Sequence, residues 1–142
     1  MPHAISLGVG EPDFDTPWHV RSEGIRSLEK GRTFYTSNSG LIELRQEICK
    51  YNVLYDYKTE ALLTVGGSEG IDVALRAMLD PGDEVIIPEP CYVSYVPCVQ
   101  LIGAVPVTIE LKNENQFRLT PEELLAAITD KTKILILAFP SN

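Results

Sequence analysis

The stretch Ala61-Leu62-Leu63-Thr64-Val65-Gly66-Gly67-Ser68-Glu69-Gly70-Ile71 decides how this chain is read. An apolar run, Ala61 to Val65, ends in two glycines and passes into a helical stripe at Ile71, Ala74, Leu75 and Met78. A strand, a glycine-rich turn and a helix, in that order, open a βα unit. The stripe is closed by Pro81-Gly82, and Glu84 to Pro88 reads as a second strand. Residues 93–102 follow as a helix ended at Gly103, and Val105 to Leu111 as a third strand. Thr120-Pro121-Glu122-Glu123 is a capping box with proline at the first helical position, and predicts a helix through Ile128. Ile134 to Phe139 is a continuous apolar run, the pattern of a strand buried on both faces. Strands alternating with helices over short links predict an α/β fold with a mostly parallel sheet flanked by helices.

Upstream, Thr16-Pro17 predicts a helix start, with the helix running to about Leu28 and stopped by Gly31. A second helix is expected from near Gly40, with Leu41, Leu44, Ile48, Tyr51 and Leu54 on one apolar face. The expected division is an N-terminal arm and first helix over 1–31, then 32–142 as the start of the main α/β domain.

The chain has 142 residues, 44% of them hydrophobic and 23% charged, which is ordinary for a globular domain. Twenty acidic residues against twelve basic ones give a net charge of −8. That argues against a nucleic-acid or anionic-membrane partner, since phosphates are met by lysine and arginine fields. No apolar run approaches the roughly 20 residues of a membrane span, and no basic-then-apolar leader opens the chain. Three cysteines without a Cys-x-x-Cys spacing read as free thiols in a reducing, cytoplasmic compartment.

A parallel sheet carries its ligand beyond the carboxyl ends of its strands. Three segments fall there: Gly66–Gly70, Pro90-Cys91-Tyr92 and Pro140-Ser141-Asn142. The first is a phosphate cradle in form, with glycines for close approach and a helix N-terminus presenting free N–H groups. It serves equally as a tight turn with Ser68 as a structural N-cap. It also matches Gly-x-Ser-x-Gly, the nucleophile elbow of α/β-hydrolases. That reading needs a histidine after the serine, and the two histidines, His3 and His19, both precede it. Gly8-Val9-Gly10 lacks the third glycine of a dinucleotide fingerprint, no Walker A sequence exists, and no metal-ligand spacing is present. Tyr92 suits stacking on a flat heterocycle. Taken singly, it and Tyr35 read as ordinary packed tyrosines, and Asn142 as a turn residue.

Together these segments resemble the N-terminal part of a class I/II aminotransferase, a fold-type-I enzyme dependent on pyridoxal 5′-phosphate. The resemblance rests on Leu7–Phe14, Tyr35–Arg45, Thr64–Gly70, Asp80–Val85 with Pro88–Tyr92, and Pro140–Asn142, in the family's order and spacing. It implies that residues 32–142 are the first part of the large, cofactor-binding domain. Gly67, Ser68 and Glu69 would bind the cofactor phosphate, largely through backbone N–H groups. Tyr92 would stack on the pyridine ring, and Asn142 would bond to its phenolic oxygen. Tyr35 would reach a neighbouring subunit's phosphate across a homodimer interface, and Gly10 would lie by the substrate carboxylate. The implied reaction moves an amino group between an amino acid and a 2-oxo acid.

The sequence departs from the family pattern after Asn142, where Pro-Thr-Gly is due. The aspartate, Schiff-base lysine and two arginines that should follow have no counterpart. Lys30, Lys50, Lys58, Lys112, Lys131 and Lys133 sit in no matching motif, so no catalytic lysine is assigned. The expectation is a truncated polypeptide, catalytically incomplete alone, that self-associates or loses order in its arm. The alternatives are a non-catalytic scaffold or ligand-binding module of the same fold, or a pyridoxal-phosphate lyase or synthase of the same superfamily.

Overall fold

The computed structural model describes Ile5, Gly8 and residues 10–140. Two compact units emerge, Met1–Asn38 and Ser39–Asn142. In the first, helix α1 (Trp18–Glu29) starts after Pro17, with Thr16 one position outside the cap. Gly31, at φ +66°, takes the left-handed turn that ends it. Arg21 lies 5.8 Å from the Trp18 ring centre and Arg26 pairs with Glu23 at 3.2 Å.

The second unit holds α2 (Ile42–Tyr51), α3 (Gly67–Met78), β1 (Glu84–Glu89), α4 (Tyr95–Leu101), β2 (Val105–Glu110), α5 (Pro121–Ala127) and β3 (Thr132–Leu135). The strands form one parallel sheet in the order β2-β1-β3. Central β1 is flanked by a strand on each side, so Val85, Ile86 and Ile87 are completely buried. Each such side chain contributes about 1.5–3 kcal/mol by leaving water. Val85 and Ile87 join Leu75 and Leu79 from α3 and its end, and Val99 and Ala104 from α4 and its end, in one cluster. The start of β1 is tied to the turn before β3 by Glu84, whose carboxylate accepts from the Thr129 hydroxyl at 2.6 Å. The Thr120–Glu123 capping box forms in full at α5.

Four expectations need correction. Residues 61–65 are extended but belong to no strand: among the described residues the three sheet strands pair only with one another. What ties this run to distant backbone is a bond from the Leu63 N–H to the Ser39 carbonyl at 3.1 Å. The run 134–139 is not buried on both faces. β3 lies at the edge, and burial alternates, with Ile134 and Ile136 half-buried while Leu137 and Phe139 are 64% and 95% exposed. The stripe expected to bury α2 is exposed; the one buried α2 residue is Arg45, 7% exposed. Its guanidinium donates to the carbonyls of Tyr57 at 3.0 Å and Ala61 at 3.5 Å, so it holds the loop leading to residue 64. Met78, at the end of the α3 stripe, is 57% exposed because Leu75 and Leu79 take the core positions.

Among the described residues, no helix is long and apolar enough to cross a membrane.

Candidate functional site

The site is built at the start of α3. Gly66 is the N-cap, at φ +84° and ψ 166°, a conformation closed to residues with a Cβ. That corrects the expectation of Ser68 as N-cap: Ser68 is the second residue of the helix proper. The turn before it is tied by its own groups. The Gly66 N–H donates to the Thr64 carbonyl at 3.0 Å, and the Thr64 hydroxyl donates to the Gly66 carbonyl at 3.0 Å. The Val65 N–H donates to the Glu69 carboxylate.

The first bonded amide of the helix is that of Gly70, which donates to the Gly66 carbonyl at 3.4 Å. The amides of Gly67, Ser68 and Glu69 precede it, and no side chain caps this end. Three successive donors at the positive end of a helix dipole favour an anion. A Cβ built on Gly66 or Gly67 meets no atom within 4 Å, so the approach to these amides is open.

Tyr92 comes to the same place from the loop after β1. Its phenol lies 3.3 Å from the Ser68 hydroxyl, which joins two of the expected site residues across 24 positions. Hydrogen bonding to Ser68 first, and to Ser94 second, holds the Tyr92 phenol below its usual range. The Tyr95 ring meets Tyr92 edge-on, with centres 5.6 Å apart and planes at 79°. The Tyr95 N–H also donates to the Tyr92 carbonyl at 3.2 Å. Tyr95 in turn packs on the buried cluster, so the Tyr92 ring is braced from the core. Sequence reasoning missed Ser94 and Tyr95. Their spacing of two and three from Tyr92, at a helix start, is the signal that could have found them. Beside them, burial first and Glu89 second push the Cys91 thiol up, which keeps it protonated and a poor nucleophile.

The remaining expected residues are not gathered here. Gly10 and Tyr35 belong to the first unit, where both are exposed, Tyr35 completely so. Asn142 lies outside the described residues.

The assembled features are an open row of helix-end amides and a braced aromatic ring. They suit a ligand with an anionic group and a flat ring. Among curated proteins, the aspartate aminotransferase of Pyrococcus horikoshii is 41% identical over 146 residues, covering 100% of this chain and 37% of that protein. The aspartate aminotransferase of Geobacillus stearothermophilus is 44% identical over 142 residues, covering 97% and 36%. Among solved structures, the aromatic aminotransferase of Pyrococcus horikoshii OT3 superposes with a TM-score of 0.93 at 42% identity, over 100% of this chain and 39% of that one. The chain thus spans little more than a third of the length of these relatives. Residues 2–142 match the family described as aminotransferase class I and II. The similarity and the parallel α/β architecture agree, and the chain belongs to the class I and II aminotransferases.

Proposed function

We propose that this chain provides the phosphate-receiving part of an aminotransferase dependent on pyridoxal 5′-phosphate, acting on an amino acid and a 2-oxo acid. The observation that carries the reading is the row of unbonded amides at Gly67, Ser68 and Glu69, with the Tyr92 phenol tied to it through Ser68. The family is generally dependent on this cofactor. The residues fit it: a dianionic phosphate suits three helix-end donors, and an aromatic heterocycle suits the Tyr92 ring.

In this reading the three amides hold the phosphate, and Gly66 and Gly67 keep side chains away from it. The Tyr92 ring stacks on the heterocycle, with its tilt set by Ser68 and Tyr95. Asn142 bonds to the ring's phenolic oxygen, Tyr35 meets a neighbouring subunit's phosphate in a homodimer, and Gly10 leaves room for the substrate carboxylate. When bound, the cofactor supplies the electron sink that eases loss of the substrate's α-proton. No lysine of this chain is given a catalytic role. A cytoplasmic location belongs to the same proposal, supported by free thiols at Cys49, Cys91 and Cys98.

The test is a titration with pyridoxal 5′-phosphate followed by absorbance, with inorganic phosphate as competitor, then borohydride reduction and peptide mapping. Saturable binding displaced by phosphate, with no specific adduct on the six lysines, is expected. Absence of binding rejects the reading, and a specific adduct rejects the assignment of no catalytic lysine.

A further inference from the structure

Two helices of this chain begin with the same device in different states of completion. At α5, the Thr120 hydroxyl accepts from the Glu123 N–H at 3.2 Å. The Glu123 carboxylate accepts in return from the Thr120 N–H at 3.0 Å. Both halves of the box are closed, and the amide of the third helical residue is consumed. At α3 the third residue is again a glutamate, Glu69, but the cap is Gly66, which has no hydroxyl to offer. The acid half survives, reaching one residue further back to the Val65 N–H. The hydroxyl half is missing, so the Glu69 amide stays open.

We propose that the Glu69 carboxylate is a positioning group for the cradle. It holds the Val65–Gly66 turn in the shape that exposes the three amides, while its charge weakens the anion received there. This rests on the reading of these amides as a phosphate site. Glu69 touches no ligand through its side chain in this account; its carboxylate acts through the backbone of Val65. The arrangement implies two opposing contributions that substitution separates. E69Q keeps an oxygen able to accept from Val65 and removes the charge. E69A removes both.

The experiment measures affinity for inorganic phosphate and for pyridoxal 5′-phosphate at low salt in the wild type, E69Q and E69A. Exchange of the Val65 amide is followed by NMR in each. E69Q should bind phosphate about threefold more tightly, the effect of removing one like charge from a helix N-terminus. E69A should bind about tenfold more weakly, the effect of losing a charge-assisted tie. The Val65 amide should stay protected in E69Q and exchange faster in E69A. If both variants tighten binding, Glu69 is only a charge, and the proposal fails. It fails equally if both weaken binding alike, if neither changes it, or if Val65 exchange is the same in all three. A wild type that binds neither probe overturns the phosphate reading itself, and the proposal with it.

Discussion

The hydroxyls of Ser68 and Tyr92 meet at 3.3 Å, joining the first turn of α3 to the loop after β1. A hydrogen bond that lowers a phenol's pKa favours the phenolate, so removing it must raise the pKa. Ser68 is the first cause of the Tyr92 depression. S68A should therefore shift Tyr92 titration to higher pH, and Y92F identifies the signal in a spectrophotometric titration. An unchanged or lower Tyr92 pKa in S68A refutes the bond's role.

Gly66 and Gly67 are neighbours with opposite expectations. Gly66 sits at φ +84°, so G66A should destabilise the protein by about 1–3 kcal/mol through backbone strain alone. Gly67 is the first residue of α3, with open space around a built Cβ. G67A should leave stability unchanged or slightly raised, because alanine favours the helix. Its methyl group should nevertheless weaken binding of pyridoxal 5′-phosphate. Urea unfolding and cofactor titration on the two variants check the split.

Arg45 is the buried charge of the second unit, and its Nε makes no hydrogen bond. R45A leaves the Tyr57 and Ala61 carbonyls without their donor and opens a space beneath the loop. A loss of about 2–4 kcal/mol is expected, with R45K recovering part of it. Urea midpoints for the pair decide it; a loss below about 0.5 kcal/mol, typical of surface positions, counts against the role.

The box at α5 carries a pH signature. Backbone and side-chain hydrogen bonds from Thr120 hold the Glu123 carboxyl below its usual range. A depressed carboxyl lends stability that is present above the ordinary carboxylate range and is lost as pH falls through the folded value. T120A should cost about 1 kcal/mol at neutral pH and flatten this part of the acid dependence. Unfolding midpoints of wild type and T120A from neutral to acid pH should draw closer without meeting, because T120A keeps the Thr120 N–H bond to the carboxylate and acid leaves the hydroxyl's bond from the Glu123 N–H in the wild type.

Legibility differed by the kind of information each element needs. The stop of α1, the start of α3 and the stop of α4 were visible because Gly31, Gly66 and Gly103 mark them in any context. The α5 box was readable because both partners lie within four residues. Residues 61–65 looked like a strand because apolar β-formers look alike with or without a partner; pairing is a property of two segments. The outward side of the run 134–139 was hidden for the same reason, since Leu137 and Phe139 are as apolar as Ile134 and Ile136. Arg45 had no signal, because a periodic stripe assigns burial to Leu44 and Ile48 and not to the charge between them. Gly67, Ser68 and Tyr92 were named from motifs far apart in the chain, and the fold sets the Ser68 and Tyr92 hydroxyls 3.3 Å apart, a distance no motif states.

The pairing of β1 with β2 and β3 also sets a timetable. Glu84 sits beside Val105 on one side and Thr132 on the other, and neither contact is local. The first requires the chain to close a loop holding α4, and the second a loop holding α4, β2 and α5. Folding rates fall as such distant contacts come to dominate. Pairing of β1 with its two distant neighbours is therefore expected to be the slow part of folding, behind the local turns of the helices.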